Sequence, residues 1–186
     1  MILEATPLAG AFVVVPEPIS DNRGFFARLF CADTFAQNSL NSHLDQISVS
    51  HNVLAGTVRG LHLQRPPAAE AKLVRVTAGA IFDVIVDVRA GSATYGKWFG
   101  VELTAANRKL LYIPEGFAHG FQTLAAATDV TYHISRPYAP DLATGLPYDD
   151  PDLAITWPIA EPITISERDA AWAPFRDFTP VEIGHG

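Results

Sequence analysis

Short apolar runs separated by turn residues recur along the chain, whereas apolar positions at helical spacing are sparse. Runs of β type fall at Phe12–Val15, Phe25–Phe30, Gln46–Val49, Val58–Leu63, Lys72–Val76, Ile81–Val88, Trp98–Leu103, Lys109–Ile113, Gly120–Leu124 and Val130–Ser135. Their regular recurrence is that of a sandwich or barrel. Two short helices are expected, Asp33–Leu40 with Asp33 as its cap, and a turn or two near Glu167–Trp172. Seven of the fourteen prolines follow Ala139, so the segment from about 139 to 186 is expected to wrap the sheets as ordered loops without adding strands. The pattern predicts an all-β double sheet with small helical additions.

The stretch from Thr57 to Arg75 concentrates charge on predicted strand. Alternation places Arg59, Leu61 and Leu63 on one face and Val58, Gly60, His62 and Gln64 on the other. Beyond the Pro66-Pro67 break, Lys72, Val74 and Val76 share a face. A short turn is expected to bring His62 and Lys72 together, and in a chain only 18% charged that makes a candidate site.

Composition narrows the class. The 186 residues suffice for one domain, 1–186, that buries roughly 70% of its unfolded surface. An apolar content of 48%, a single cysteine and a net charge of −7 fit a cytoplasmic protein that needs no disulfides. No leader or membrane span is expected from the sequence. The acidic balance argues against nucleic acid as a partner, though local cations remain able to hold a small anion. Cys31 is expected as a small buried hydrophobe, and His43, His51, His133 and His185 fit no motif.

Two segments resemble the paired motifs of the cupin jelly rolls. Pro114-Glu115-Gly116-Phe117-Ala118-His119 matches the second motif, while the first reads His62-Leu63-Gln64 with Glu70 further on, so Gln64 stands where a metal ligand is usual. A metal-dependent cupin oxygenase using His62, Glu70 and His119 is therefore one reading, since three protein ligands suffice for a catalytic metal.

A closer resemblance runs from about Phe12 to Ala173. Asp21-Asn22-Arg23-Gly24-Phe25-Phe26, Val58 to Gln64, Lys72-Leu73-Val74-Arg75, Ile113 to Gly120 and Ser166-Glu167-Arg168-Asp169-Ala170 resemble, in order and spacing, the dTDP-4-dehydrorhamnose 3,5-epimerases. The resemblance implies a metal-independent cupin-type jelly roll, with no cofactor, acting on a nucleotide-linked 4-keto-6-deoxy sugar as a homodimer. It implies His62 as general base, Asp169 as its carboxylate partner, Lys72 as stabiliser of enolate charge and Tyr132 as acid. Arg23, Arg28, Gln46, Ser48, Arg59, His119 and Arg168 fall on substrate-contacting positions, and Tyr138 on an aromatic position near the nucleotide.

The residue types suit that chemistry. Inverting a carbon beside a ketone takes a base near neutral pH, a cation for the developing enolate and an acid on the far face. The plainer alternatives are a solvated strand-end Lys72, a core aromatic at Tyr132, a helix-start carboxylate at Asp169 and turn chemistry at Arg23. Three positions depart from the family pattern: Arg28 and Ala143 stand where Glu is usual, and Ser48 where Asn is usual. All three concern substrate contacts. They leave open epimerisation at C3 or C5 alone, a CDP-linked sugar read by Arg28 in place of thymidine, and a non-catalytic sugar-nucleotide-binding module. Of the two nucleotides thymidine is the expectation, with Arg28 turned outward or paired elsewhere, because a single side chain can rotate away.

Overall fold

The computed structural model describes residues 1–184, and His185 lies outside the described residues. In chain order the strands are β1 (Ile2–Ala5), β2 (Phe12–Val15), β3 (Ile19–Asp21), β4 (Gly24–Phe26), β5 (Gln46–Asn52), β6 (Val58–Gln64), β7 (Lys72–Ala78), β8 (Ala80–Asp87), β9 (Trp98–Thr104), β10 (Leu110–Ile113), β11 (Phe117–Thr123), β12 (Thr128–Ile134) and β13 (Ala143–Gly145). Helix α1 (Ala32–Gln37) follows β4, and α2 (Glu167–Ala170) lies in the C-terminal segment. The strands form a six-stranded sheet, β1-β2-β10-β7-β12-β5, a five-stranded sheet, β13-β6-β11-β8-β9, and a separate β3–β4 hairpin. Every pairing within them is antiparallel.

Alternation explains how the sheets close on one another. Val74, Val76, Leu111, Ile113 and Val130 of the larger sheet pack against Ile81, Ile85, Leu103, Phe117 and Phe121 of the smaller, all buried. Each such side chain contributes about 1.5–3 kcal/mol by leaving water. The outer face of the smaller sheet (Leu61, Leu63, Val84, Val86, Ala118) is covered by Leu146, Leu153 and Val181 from the C-terminal segment. That is the wrapping the proline-rich tail was expected to supply. Phe35 of α1 and Leu40 cover the outer face of the larger sheet at Val14, Leu73, Leu110 and Tyr112.

Several sequence expectations are corrected. The tail does add a strand: β13 pairs with β6 through Ala143–Gln64, Thr144–Leu63 and Gly145–His62, because β6 would otherwise end the sheet with its backbone groups unpaired. The run Phe25–Phe30 is strand only to Phe26, in a two-stranded ribbon whose residues are all exposed. Helix α1 stops at Gln37 and its N-cap is Cys31, which gives no side-chain cap, while Asp33 sits inside the first turn. Cys31 is only partly buried, and hydrogen bonding to Thr34 holds its thiol below the usual range. His62 and Lys72 are not joined as a hairpin either; β6 and β7 belong to different sheets and approach one another across the interior.

The most consequential departure concerns Arg59. In the β6–β11 ladder His119 stands opposite His62 and Phe121 opposite Arg59, so Gly60 and Leu61 together face the single Gly120. This bulge breaks the period of two and turns Arg59 to the same inner face as His62. Glycine is needed at the crossing: Gly60 has φ +129, and a Cβ there would lie 2.5 Å from Gly120 Cα. Gly24 has a similar φ, +132, but nothing within 4 Å of its added Cβ. Gly60→Ala is therefore expected to cost about 1–3 kcal/mol of backbone strain plus a comparable overpacking term, and Gly24→Ala the strain alone. Urea denaturation midpoints of the two variants measure the difference; equal losses would mean the β6–β11 crossing relaxes freely.

Candidate active site

One cavity of about 350 Å³ opens between the sheets, lined among others by Gln46, Ser48, Arg59, His62, Lys72, His119, Tyr132, Tyr138 and Arg168. That volume lies within the range of small-molecule sites. Strand period supplies the lining: Gln46 and Ser48 of β5 stand opposite Ile134 and Tyr132 of β12, and Lys72 of β7 stands opposite Ile134 on the other side. From the smaller sheet, His62 and His119 are direct cross-strand partners on β6 and β11.

Each histidine is held by a carboxylate. His62 Nε2 lies 2.7 Å from Asp169 Oδ1, with the His62 side chain 44% exposed and Asp169 8%. Ser166 caps α2 by accepting from the Asp169 N–H, and the other carboxylate oxygen accepts from Gly60 N–H at 3.2 Å. The plain reading of Asp169 as a helix-start residue therefore holds, and the same cap aims its carboxylate at His62. Burial raises the Asp169 pKa, but the hydrogen bonds from His62 and Gly60 and the charges of His62 and Arg168 outweigh it and hold the group below the carboxylate range. An ionised Asp169 accepts the Nε2 proton, which leaves Nδ1 of a neutral His62 as a free base. His119 Nε2 lies 2.7 Å from Asp83 Oδ1 in a pair that is almost wholly buried.

Tyr132 faces these groups from the larger sheet, its ring 6.0 Å from that of His119 at 73°. Burial, and secondarily the charge of Asp83, push its pKa up, opposed in part by Arg59, so the phenol keeps its proton through neutral pH. Lys72 Nζ sits 3.0 Å from Glu70 Oε1 with both side chains largely buried, and donates to the His62 carbonyl at 3.3 Å. Arg59 is anchored by a 2.8 Å bond from Nε to Asn52 Oδ1.

The first cupin motif is used differently from a metal site. Gln64 donates to the carbonyls of Ala68 and Pro137 and accepts from Ala139 N–H, tying β6 to the tail. Glu70 is taken up by Lys72, and among the described residues no three His, Cys, Asp or Glu side chains cluster as metal ligands. Two predicted contacts fall outside the cavity lining: Arg23, whose exposed side chain pairs with Asp21, and Arg28. Five lining residues carry no sequence motif and were not anticipated, namely Ser50, Phe121, Ile134, Arg136 and Thr144. For Ile134 and Arg136 the step of two from Tyr132 was the available signal.

A jelly roll that sets a histidine of one sheet, paired with a helix-borne Asp, against a protonated Tyr and a Lys of the other defines a cupin-like protein equipped for proton transfer. The family model described as dTDP-4-dehydrorhamnose 3,5-epimerase matches residues 5–177. The chain belongs to the dTDP-4-dehydrorhamnose 3,5-epimerase family. The enzyme of that name from Methanothermobacter thermautotrophicus is 44% identical over 92% of this chain and 93% of its own. The dTDP-6-deoxy-D-glucose-3,5-epimerase of Legionella pneumophila, in complex with dTDP-4-keto-L-rhamnose, superposes with a TM-score of 0.91 at 34% identity, covering 99% of both chains. A 3'-monoepimerase from Streptomyces bikiniensis in complex with dTDP-quinovose gives 0.84 at 31%, covering 91% of this chain and 85% of the other.

Proposed function

We propose that the chain epimerises C3 and C5 of dTDP-4-dehydro-6-deoxyglucose, with His62 as base, Asp169 as its orienting carboxylate, Lys72 as enolate stabiliser and Tyr132 as acid. The observation that carries this reading is the placement of His62 and Tyr132 on facing sheets of one cavity. A keto sugar held between them loses its α-proton to His62 on one side, and the planar enolate so formed takes a proton from Tyr132 on the other, which is inversion. Both target carbons flank the C4 ketone, so one oxyanion site at Lys72 serves both abstractions. Arg59 and Arg168 supply positive charge for the diphosphate, Gln46 and Ser48 supply polar contacts, His119 binds the sugar, and Tyr138 offers a face to the base.

Incubation with the keto sugar in D2O tests the reading. Deuterium at C3 and C5 together with rhamno-configured product is expected. Label at C3 alone would make the chain a monoepimerase, and no label at either centre would leave only a binding module.

The proposal includes a cytoplasmic homodimer. Among the described residues no helix is long and apolar enough to cross a membrane. Strand β5 is a free sheet edge with Ile47 and Val49 exposed, and the β3–β4 hairpin exposes Ile19, Phe25 and Phe26. Edges and apolar ribbons of this kind are covered by pairing. A hairpin donated to a second copy also accounts for Arg23 and Arg28, which take no part in their own chain's cavity. Light scattering is expected to give twice the 20.1 kDa chain mass, and a monomer at micromolar concentration would refute the pairing.

A further inference from the structure

Arg136 follows Tyr132 and Ile134 by steps of two beyond the end of β12, and all three line the cavity. The step past Ile134 carries it beyond Gln46 and Lys72, both of which stand opposite Ile134, toward the mouth where Tyr138 and Arg168 lie. Arg168 Nη1 approaches the Tyr138 hydroxyl at 3.5 Å. Arg136 is exposed, and among the described residues its guanidinium has no hydrogen-bond or ion-pair partner. The acids of this region do not neutralise it: Glu70, the acidic residue in the lining, is engaged by Lys72, and position 143, facing Gln64 at the rim, is Ala. In a chain of net charge −7, an unpaired guanidinium at the entrance to a cation-lined cavity is placed for an anionic ligand.

We propose that Arg136 grips the diphosphate of the nucleotide sugar at the cavity mouth and is a determinant of substrate affinity. The inference rests on the proposed function, which puts the sugar at His62 and Tyr132 and so leaves the diphosphate between that centre and Tyr138. A guanidinium presents paired N–H donors that match two phosphate oxygens, which an ammonium cannot do. Because the residue is exposed and among the described residues its side chain makes no hydrogen bond or ion pair, its removal is expected to leave the fold intact.

Calorimetric titration with dTDP and with CDP, in low and in high salt, tests the assignment on the wild type, Arg136→Ala and Arg136→Lys. Arg136→Ala is expected to weaken binding of the preferred nucleotide about ten- to a hundredfold in low salt. Arg136→Lys should recover part of the loss, and the deficit should shrink in high salt as screening weakens the contact. Affinity within twofold of wild type in Arg136→Ala would overturn the assignment, as would a deficit that salt leaves unchanged. A wild type that binds neither nucleotide would instead defeat the proposed function, and this inference with it.

Discussion

His62→Asn is expected to lower deuterium exchange at both C3 and C5 by about 10²–10⁴-fold or more, while the far-ultraviolet spectrum and thermal midpoint stay close to wild type. Asparagine is too short to replace the contact from His62 Nε2 to Asp169 Oδ1, but the carboxylate keeps the Gly60 N–H as a donor, and the 44% exposure of the His62 side chain gives water access to the vacated position. What disappears is the basic nitrogen. The cavity holds a second histidine, but His119 is 4% exposed and turned to the buried Asp83, a poor position from which to exchange protons with solvent. Selective loss at one carbon, with the other exchanging normally, would show that two bases divide the work and would refute the single-base reading.

The site was legible in the sequence where residue type carries it, and illegible where geometry does. His62, Lys72, Tyr132 and Asp169 were found because motif and chemistry coincide, although Asp169 lies 107 residues from His62 and no periodicity links them. Arg59 was placed on the wrong face because strand alternation assumes an unbroken ladder, and the bulge at Gly60 inverts parity without changing composition. Arg136 went unnoticed for the converse reason: it lies past the end of a strand, where the period of two still holds but the apolar pattern has ended. Strand β13 was missed because the need for it belongs to β6, whose free edge calls for a partner that proline-rich sequence does not announce. The same logic hid the role of Gln64, which read as a lost metal ligand and proves to be a tie between β6 and the tail.

Tyr132→Phe should separate the two halves of the reaction. Deuterium wash-in is expected to persist, while net inversion falls by about 10²-fold or more. The fold should tolerate the change, because phenylalanine fills the same volume in the core where Tyr132 packs, and among the described residues the hydroxyl makes no hydrogen bond that its loss would leave unpaired. With the far-face acid removed, His62 still abstracts the proton and Lys72 still stabilises the enolate. The His62 side chain is 44% exposed, so its acquired proton trades with solvent before collapse, and the enolate recovers a deuteron on the face it lost the proton from. Label then enters with configuration retained. Positional NMR of recovered substrate, set against the amount of epimerised product, measures both quantities in one experiment. Parallel loss of wash-in and inversion would mean that Tyr132 acts at or before proton abstraction, and undiminished inversion would mean that another group or a water molecule supplies the second proton.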